Sequence, residues 1–192
     1  AALSSSLEPQ HPLRARPVSH QRCLAGQAWD WDGVHFEVLH PTEADYATAT
    51  KPNALSCVLR IAGRETSLLL TGDIEAPQEA ALIGRERDGQ GDGAPVSLRA
   101  DLLLVPHHGS RTSSTPAFID AVVPTLAVVQ AAYLSRFGHP APDVEQRYLA
   151  RGIEVLRTDR CGALTWRPPA PPACERESAR RYWHWMPPSP AP

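Results

Sequence analysis

What this sequence lacks narrows its function first. No stretch of about eighteen apolar residues occurs anywhere in it, so no segment reads as a membrane-spanning helix. The chain does not open with the basic, apolar and small-residue sections of an export signal. It starts at Ala1 without a Met, partway through an apolar-polar segment, as a piece cut from a longer protein would. Positive charge is not in excess either. The formal net charge is -2, so a nucleic-acid partner would have to be held by a local basic patch or a metal rather than by a global field. The four cysteines, Cys23, Cys57, Cys161 and Cys174, include no C-x-x-C pair and fit neither a zinc ribbon nor a dense disulfide framework. They leave the compartment open, and Cys57, inside an apolar run, reads as a small buried apolar side chain.

What is present suits one soluble domain: 192 residues, 42% hydrophobic and 21% charged. Residues 1–22 are rich in Pro, Ser, Arg and His and define little. From Cys23 the pattern sharpens. Residues 27–31 and then Val34, Phe36 and Val38, alternating with His35 and Glu37, have the period of two of a half-buried strand, and Asp32-Gly33 between them signals a hairpin. Pro41 and Pro52 bound a polar loop. Residues 56–62 and 66–71 form a second hairpin around Gly63-Arg64-Glu65, its far strand apolar enough to be buried on both faces. Residues 75–85 read as a helix with Pro77 in its first turn, and 85–95 as a Gly- and Asp-rich surface loop. A buried strand over 102–105 stops at Pro106. A helix over 113–122, a strand over 126–129, a helix over 143–151 closed by Gly152 and a strand over 154–157 follow. This alternation is the α/β signature. From Pro168 the composition turns to Pro, Ala, Arg, Glu and Trp, and a disordered tail is expected over 168–192.

Three short segments fall at the C-terminal ends of expected buried strands, where open α/β sheets gather their active sites. The first is Thr71-Gly72-Asp73. A carboxylate delivered by a small-residue turn can bridge two cations, since each oxygen can bind one; taken alone, an N-cap for the following helix is the commoner role of such an Asp. The second is Val105-Pro106-His107-His108-Gly109-Ser110. Imidazole is a common metal ligand, though neighbours on an extended chain point to opposite sides, so one of the two histidines is expected to reach a metal and the other to be solvated. The third, Arg136-Phe137-Gly138-His139-Pro140, sets a His beside an Arg, a combination suited to holding a phosphate or protonating a leaving oxygen. An exposed turn is an equal reading of those five residues by themselves.

Taken together and in order, L-L-L-T-G-D-I-E, A-D-L-L-L-V-P-H-H-G-S-R-T-S-S and R-F-G-H-P resemble the C-terminal metallo-β-lactamase-like domain of the ComEC family of competence proteins. The resemblance runs from about Trp29 to Thr165 and takes in Leu39-His40-Pro41, the N-x-x-S of Asn53 to Ser56 and the R-T-D-x-x-G of Arg157 to Gly162. It implies an α/β fold, the metallo-β-lactamase αββα sandwich, of which this chain carries the second half plus part of the first. The H-x-H-x-D-H motif that supplies most ligands in that superfamily is missing, so the domain over 23–167 is expected to be incomplete. Carried over, Asp73 matches the bridging carboxylate, and the His107-His108 pair the late metal-ligand His, with a slight preference for His107. His139 resembles a residue near the scissile phosphate, and Ser110 and Arg136 are weaker candidates of the same kind. Asn53 stands near where many relatives place a further ligand His.

The chemistry implied is hydrolysis of a phosphodiester assisted by two divalent metal ions, manganese or zinc. In a competence channel it would degrade one DNA strand while the other is transported, so single-stranded DNA and the channel portion of the same parent are the implied partners, with no small-molecule cofactor. The parent would lie in the bacterial inner membrane, with this domain outside the cytoplasm. With one Asp and one His as ligands, the isolated chain is expected to bind metal poorly and to be inactive. A rival reading keeps the fold as a catalytically inactive module that binds DNA or a partner. Another makes it a hydrolase of a thioester, lactam or small phosphoester, which would want an apolar pocket.

Overall fold

Alternating apolar residues from Ala28 onward build a seven-stranded mixed sheet in which the strands lie side by side in chain order. The computed structural model that shows this describes residues 2–3, 12, 21–88 and 96–181. A two-residue parallel pair, β1 (Ala2–Leu3) with β2 (Gln21–Arg22), precedes the sheet. The sheet then consists of β3 (Ala28–Trp31), β4 (Val34–His40), β5 (Val58–Ala62), β6 (Ser67–Leu70), β7 (Leu102–Leu104), β8 (Leu126–Val129) and β9 (Glu154–Arg157).

The connections decide strand direction. β3 to β6 are antiparallel, because short turns join β3 to β4 and β5 to β6. At the first, Asp32 and Gly33 both have positive φ, 49° and 77°, the backbone that a tight hairpin with matching twist needs. At the second, the Gly63 N–H donates to the Thr66 carbonyl at 2.8 Å. β6 to β9 are parallel, each step crossing over through a helix: α2 (Ala76–Asp88), α3 (Pro116–Val122) and α4 (Pro142–Leu149).

All three crossover helices lie on one face. Leu82 of α2, Phe118, Ile119 and Val122 of α3, and Val144 and Tyr148 of α4 pack with Leu69, Leu103, Ala127 and Val129 of the sheet in one core. The opposite face is apolar as well. Its cross-strand rows run Trp29–Phe36–Ile61–Leu68–Leu102–Leu126 and Val38–Leu59–Leu70–Leu104–Val128–Leu156. Leu164 and Trp166 cover its β7–β9 end, leaving a cavity of about 360 Å³ against Leu68, Leu102, Leu104 and Val128. At the other end Trp29 and Trp31 are exposed.

Three expectations change here. The helix expected from Ser113 starts at Pro116, because the Thr115 hydroxyl caps the Phe118 N–H and Pro116 fills the first helical position. The loop expected over 85–95 is helical through Asp88, with 89–95 outside the described residues. The tail expected from Pro168 is folded as far as 181: β10 (Leu164–Thr165) pairs antiparallel with β11 (Ala173–Cys174), and Cys174 is disulfide-bonded to Cys161. The remainder, 182–192, lies outside the described residues, as does most of 1–22.

Cys57 is not the isolated apolar side chain expected of it. It is bonded to Cys23, 34 positions away, with Cα atoms 6.1 Å apart. The sequence hides both pairings because tertiary structure, and not close spacing, brings the partners together.

Candidate functional site

Because β6, β7 and β8 are parallel, their C-terminal ends share one edge of the sheet, and the three conspicuous motifs follow from that edge. β6 runs into Thr71-Gly72-Asp73. The Thr71 hydroxyl donates to the Leu104 carbonyl at 2.7 Å, tying this end to β7, and the Gly72 carbonyl accepts the His107 N–H at 3.0 Å. Asp73 is therefore held beside the histidine turn by backbone and side-chain bonds from both strands.

The histidine turn is not extended. Pro106–Gly109 form a single 3₁₀ turn in which His107 and His108 both take left-handed backbone, φ 48° and 57°. Gly109, at φ 77°, lies so close to Pro140 that a Cβ there would stand 2.6 Å from the Pro140 Cβ, so only glycine lets this turn approach the third motif. The bend gives each imidazole an acidic neighbour, Glu75 for His107 and Asp73 for His108.

His108 Nε2 lies 3.5 Å from Asp73 Oδ1; the slight preference for His107 as the metal ligand concerns ion binding and not this contact. The Nδ1 of His108 lies 2.8 Å from the Gln130 carbonyl. A carbonyl can only accept, so Nδ1 carries the hydrogen and, in a neutral ring, Nε2 presents a lone pair to the carboxylate. Two acceptors then face each other, an arrangement that a proton or a cation between them would relieve.

His107 has a different shell. Its Nδ1 is 3.3 Å from Glu75 Oε1 and 3.3 Å from the Thr112 hydroxyl, while its Nε2 is 3.4 Å from Asn53 Nδ2. The carboxylate fixes Nδ1 as the donating side, and Nε2 accepts from the Asn53 amide. Protein groups thus engage both nitrogens of His107.

His139 completes a cluster of three imidazoles, its ring centroid 6.1 Å from that of His107. Burial, and then the neighbouring His107 and His108, hold its pKa below the usual imidazole value. Its Nδ1 is buried without a hydrogen-bond partner among the described residues. Phe137 stacks on it, with centroids 6.0 Å apart, and the exposed Arg136 lays its guanidinium over Phe137 at 4.9 Å. Ser110, 8% exposed, turns its hydroxyl toward that of Thr112 at 3.1 Å, one step from His107.

The six candidate residues therefore gather at one sheet edge, with Asp73, His107, His108 and His139 nearest to one another and Arg136 at the rim. Whether they amount to a metal site is a question of donor count. Among the described residues no group of three or more His, Cys, Asp or Glu side chains is placed to hold an ion. The donors pair off instead, Asp73 with His108 and Glu75 with His107. This set does not fit a complete metal centre by itself.

Several contributors escaped the sequence reading. Glu75 stands two residues beyond Asp73, and the D-x-E spacing was the available signal. Gln130 contributes its backbone carbonyl, which no side-chain pattern announces. Glu79 of α2 is fully buried and accepts the N–H groups of Ser114 and Thr115 at 2.5 and 2.8 Å, fastening the end of the histidine loop. Arg147 donates to the Ser113 and Ser114 carbonyls at 3.1 and 3.0 Å from the far side.

No protein-family model matches the chain. It is similar to the competence protein ComA of Neisseria gonorrhoeae, 40% identical over 143 residues that make up 74% of this chain and 19% of that protein. To recombination protein 2 of Haemophilus influenzae it is 33% identical, over 65% of this chain and 14% of the relative. To ComE operon protein 3 of Bacillus subtilis it is 31% identical, over 80% of this chain and 18% of the relative. The chain thus spans less than a fifth of the length of these relatives. Among solved structures it overlaps a protein of Parabacteroides distasonis described as a metal-dependent hydrolase, with TM-score 0.44 and 11% identity over 73% of this chain and 58% of that one. A second, described as a zinc-dependent hydrolase of the metallo-β-lactamase superfamily from Thermotoga maritima, overlaps with TM-score 0.35 and 14% identity over 67% and 59%.

Proposed function

This chain is a homologue of the ComEC-family competence proteins, matching most of its own length and at most 19% of theirs, and on that premise we propose that it is one half of a metal-dependent phosphodiesterase domain acting on DNA during uptake. The observation that carries the reading is the Asp73–His108 pair, a carboxylate oxygen and an imidazole Nε2 3.5 Å apart on the edge where such sheets bind ligands. The Gln130 carbonyl at Nδ1 supports it, since an outer hydrogen bond of this kind fixes the tautomer and orientation of a metal-binding histidine.

Two ligands leave most of a coordination shell to other groups, so the remaining donors belong to a part of the domain outside the described residues. The open sheet face supports the same division. Twelve apolar residues in two cross-strand rows, eight of them only partly covered, suit the inner side of a two-sheet sandwich, and relatives several times as long have chain to supply a second sheet. Manganese or zinc is the expected ion, and single-stranded DNA the expected substrate, with the exposed Arg136 at the rim to meet phosphate.

The disulfides support placing the domain outside the cytoplasm, where such bonds persist. The channel of the same parent is then the natural neighbour. None of the described helices is long and apolar enough to cross a membrane, so anchoring would fall to that channel. One observation favours the rival reading of an inactive binding module: both nitrogens of His107 are already engaged by the protein.

The test is manganese-dependent cleavage of single-stranded DNA by this chain and by the product of the whole reading frame that encodes it, each with and without Asp73→Ala. Cleavage by the whole product, lowered at least a hundredfold by Asp73→Ala, is expected. Inactivity of both proteins, with DNA binding retained, would establish the binding module.

A further inference from the structure

We propose that the Cys23–Cys57 disulfide positions the candidate site, holding residues 53–57 against Asp73 and His107 so that the site is assembled only in the oxidised protein. The proposal rests on the reading of Asp73 and His107 as site residues.

Residues 53–57 touch both halves of the site. The Ser56 hydroxyl accepts the Asp73 N–H at 3.1 Å, and Asn53 reaches His107 Nε2 at 3.4 Å. Between these contacts the packing is tight. Gly72 has φ 56°, and a Cβ on it would stand 3.0 Å from the Ser56 Cβ. The loop thus lies directly against the turn that presents Asp73, and a shift of the loop would loosen the Ser56–Asp73 bond.

Little else restrains the loop. It is one 3₁₀ turn, Pro52–Leu55, without a side-chain cap and without a buried residue, and the helix before it, α1 (Glu43–Thr48), buries none either. Its far end runs into β5, whose first residue Val58 is fully buried, and two further ties hold Ser56 and Cys57 there. One is the His40 Nδ1–H donating to the Ser56 carbonyl at 2.9 Å. The other is the bond from Cys57 to Cys23. Cys23, in contrast to the loop, is well anchored. It is 1% exposed, its carbonyl accepts the Tyr46 hydroxyl at 2.8 Å, and the following Ala25 and Gly26 N–H groups donate to Pro41 and Val38 carbonyls at 2.7 and 2.9 Å. The disulfide thus transfers the rigidity of the β4 end to the site loop.

The second disulfide behaves differently. Cys161–Cys174 joins α5 (Thr158–Cys161) to β11 and involves none of the residues that hold Asp73 or His107. It is an internal control.

Forming the Cys23–Cys57 bond oxidises two thiols, and a disulfide donor of the compartment is reduced in exchange. One cysteine thiolate attacks the donor disulfide and releases one donor thiol; the second cysteine displaces the other, so two thiols and one disulfide become one disulfide and two thiols. A reducing cytoplasm reverses the exchange, which would remove the covalent link from the site loop to Cys23 and leave the His40 bond and the start of β5 to hold its far end.

The experiment reads hydrogen exchange at the Asp73 amide by NMR in the whole chain, beside the Leu103 amide in the sheet, with thiols counted by alkylation and mass. Exchange does not require catalysis, so its outcome is separate from that of the DNA-cleavage test. The unreduced protein is expected to offer no alkylatable thiol at Cys23 or Cys57. In Cys23→Ser/Cys57→Ser, Asp73 exchange is expected to rise at least tenfold relative to Leu103, and in Cys161→Ser/Cys174→Ser to stay as in wild type. Should the first variant not fold, mild reduction of the Cys161→Ser/Cys174→Ser protein gives the same comparison. Free thiols in the unreduced protein, unchanged Asp73 exchange on breaking the bond, or an equal rise at Leu103 would each overturn the proposal.

Discussion

The two faces of the central sheet carry nearly the same side chains and differ in how fully they are covered. On the helix side Leu69, Leu103 and Ala127 are fully buried. On the other face Leu68, Leu70 and Leu104 remain partly exposed, while Leu102, Leu126 and Val128 are buried beneath Leu164 and Trp166. Strands that read as apolar on both sides are strands meant to be covered on both sides. Within the described residues, helices cover the first face along the parallel strands, while the second is covered only at its β7–β9 end. Helices supply stability on the first face, and a partner layer over the second is part of the function proposed above.

Substitutions can break that comparison, and the largest effect belongs on the helix-covered face. Leu103→Ala leaves a cavity among closely packed neighbours and should cost about 2–5 kcal/mol in chemical denaturation. A cost below about 1 kcal/mol would mean that the helix layer is loosely packed. Next comes Glu79, the polar point in the same layer. Glu79→Ala strands the N–H groups of Ser114 and Thr115, at roughly 1–3 kcal/mol for each buried group left unpaired.

Glu79 also carries a pH signature. Burial raises its pKa above the ordinary 4.5, against the opposing hydrogen bonds. The folded protein therefore keeps this proton at pH values where the unfolded chain has lost it, and stability falls as pH rises from about 4.5 through the folded value. Relative to Glu79→Gln, which has no such proton to lose, wild type should lose stability across that window. A difference that stays flat, or that grows in favour of wild type as pH rises, would show that the carboxylate is comfortable as an anion.

The α/β class was legible from period-two strands and helix-period segments between 28 and 157, and so was the sheet edge, because each motif follows an apolar run that stops abruptly. What stayed hidden has physical reasons. The Cys23–Cys57 bond depends on a bulged β4 returning past residue 40. The pairing of Asp73 with His108 depends on two consecutive left-handed residues, which sequence patterns based on extended or helical backbone do not anticipate. Glu79 looked like any polar residue of a surface helix, and only the tertiary fold places it under the Ser113–Thr115 turn.

Smaller effects belong on the open face. Leu104→Ala should cost about 1–2 kcal/mol in this chain, since the side chain still meets water, and more in the product of the whole reading frame if a second sheet covers it. Trp31→Ser, at a position 68% exposed, should change the stability of this chain by less than about 0.5 kcal/mol. Equal effects of Leu104→Ala in both proteins would remove the case for a covering layer.

The central claim is that Asp73 and His108 together contribute to a cation site. It is tested most directly by titrating the ¹⁵N-histidine-labelled chain with manganese and following paramagnetic broadening, which detects even weak binding. Broadening is expected first at His108, with His35 on the distant hairpin spared and with the effect abolished in Asp73→Asn. Equal broadening at His35 and His108, or broadening that survives Asp73→Asn, would contradict it.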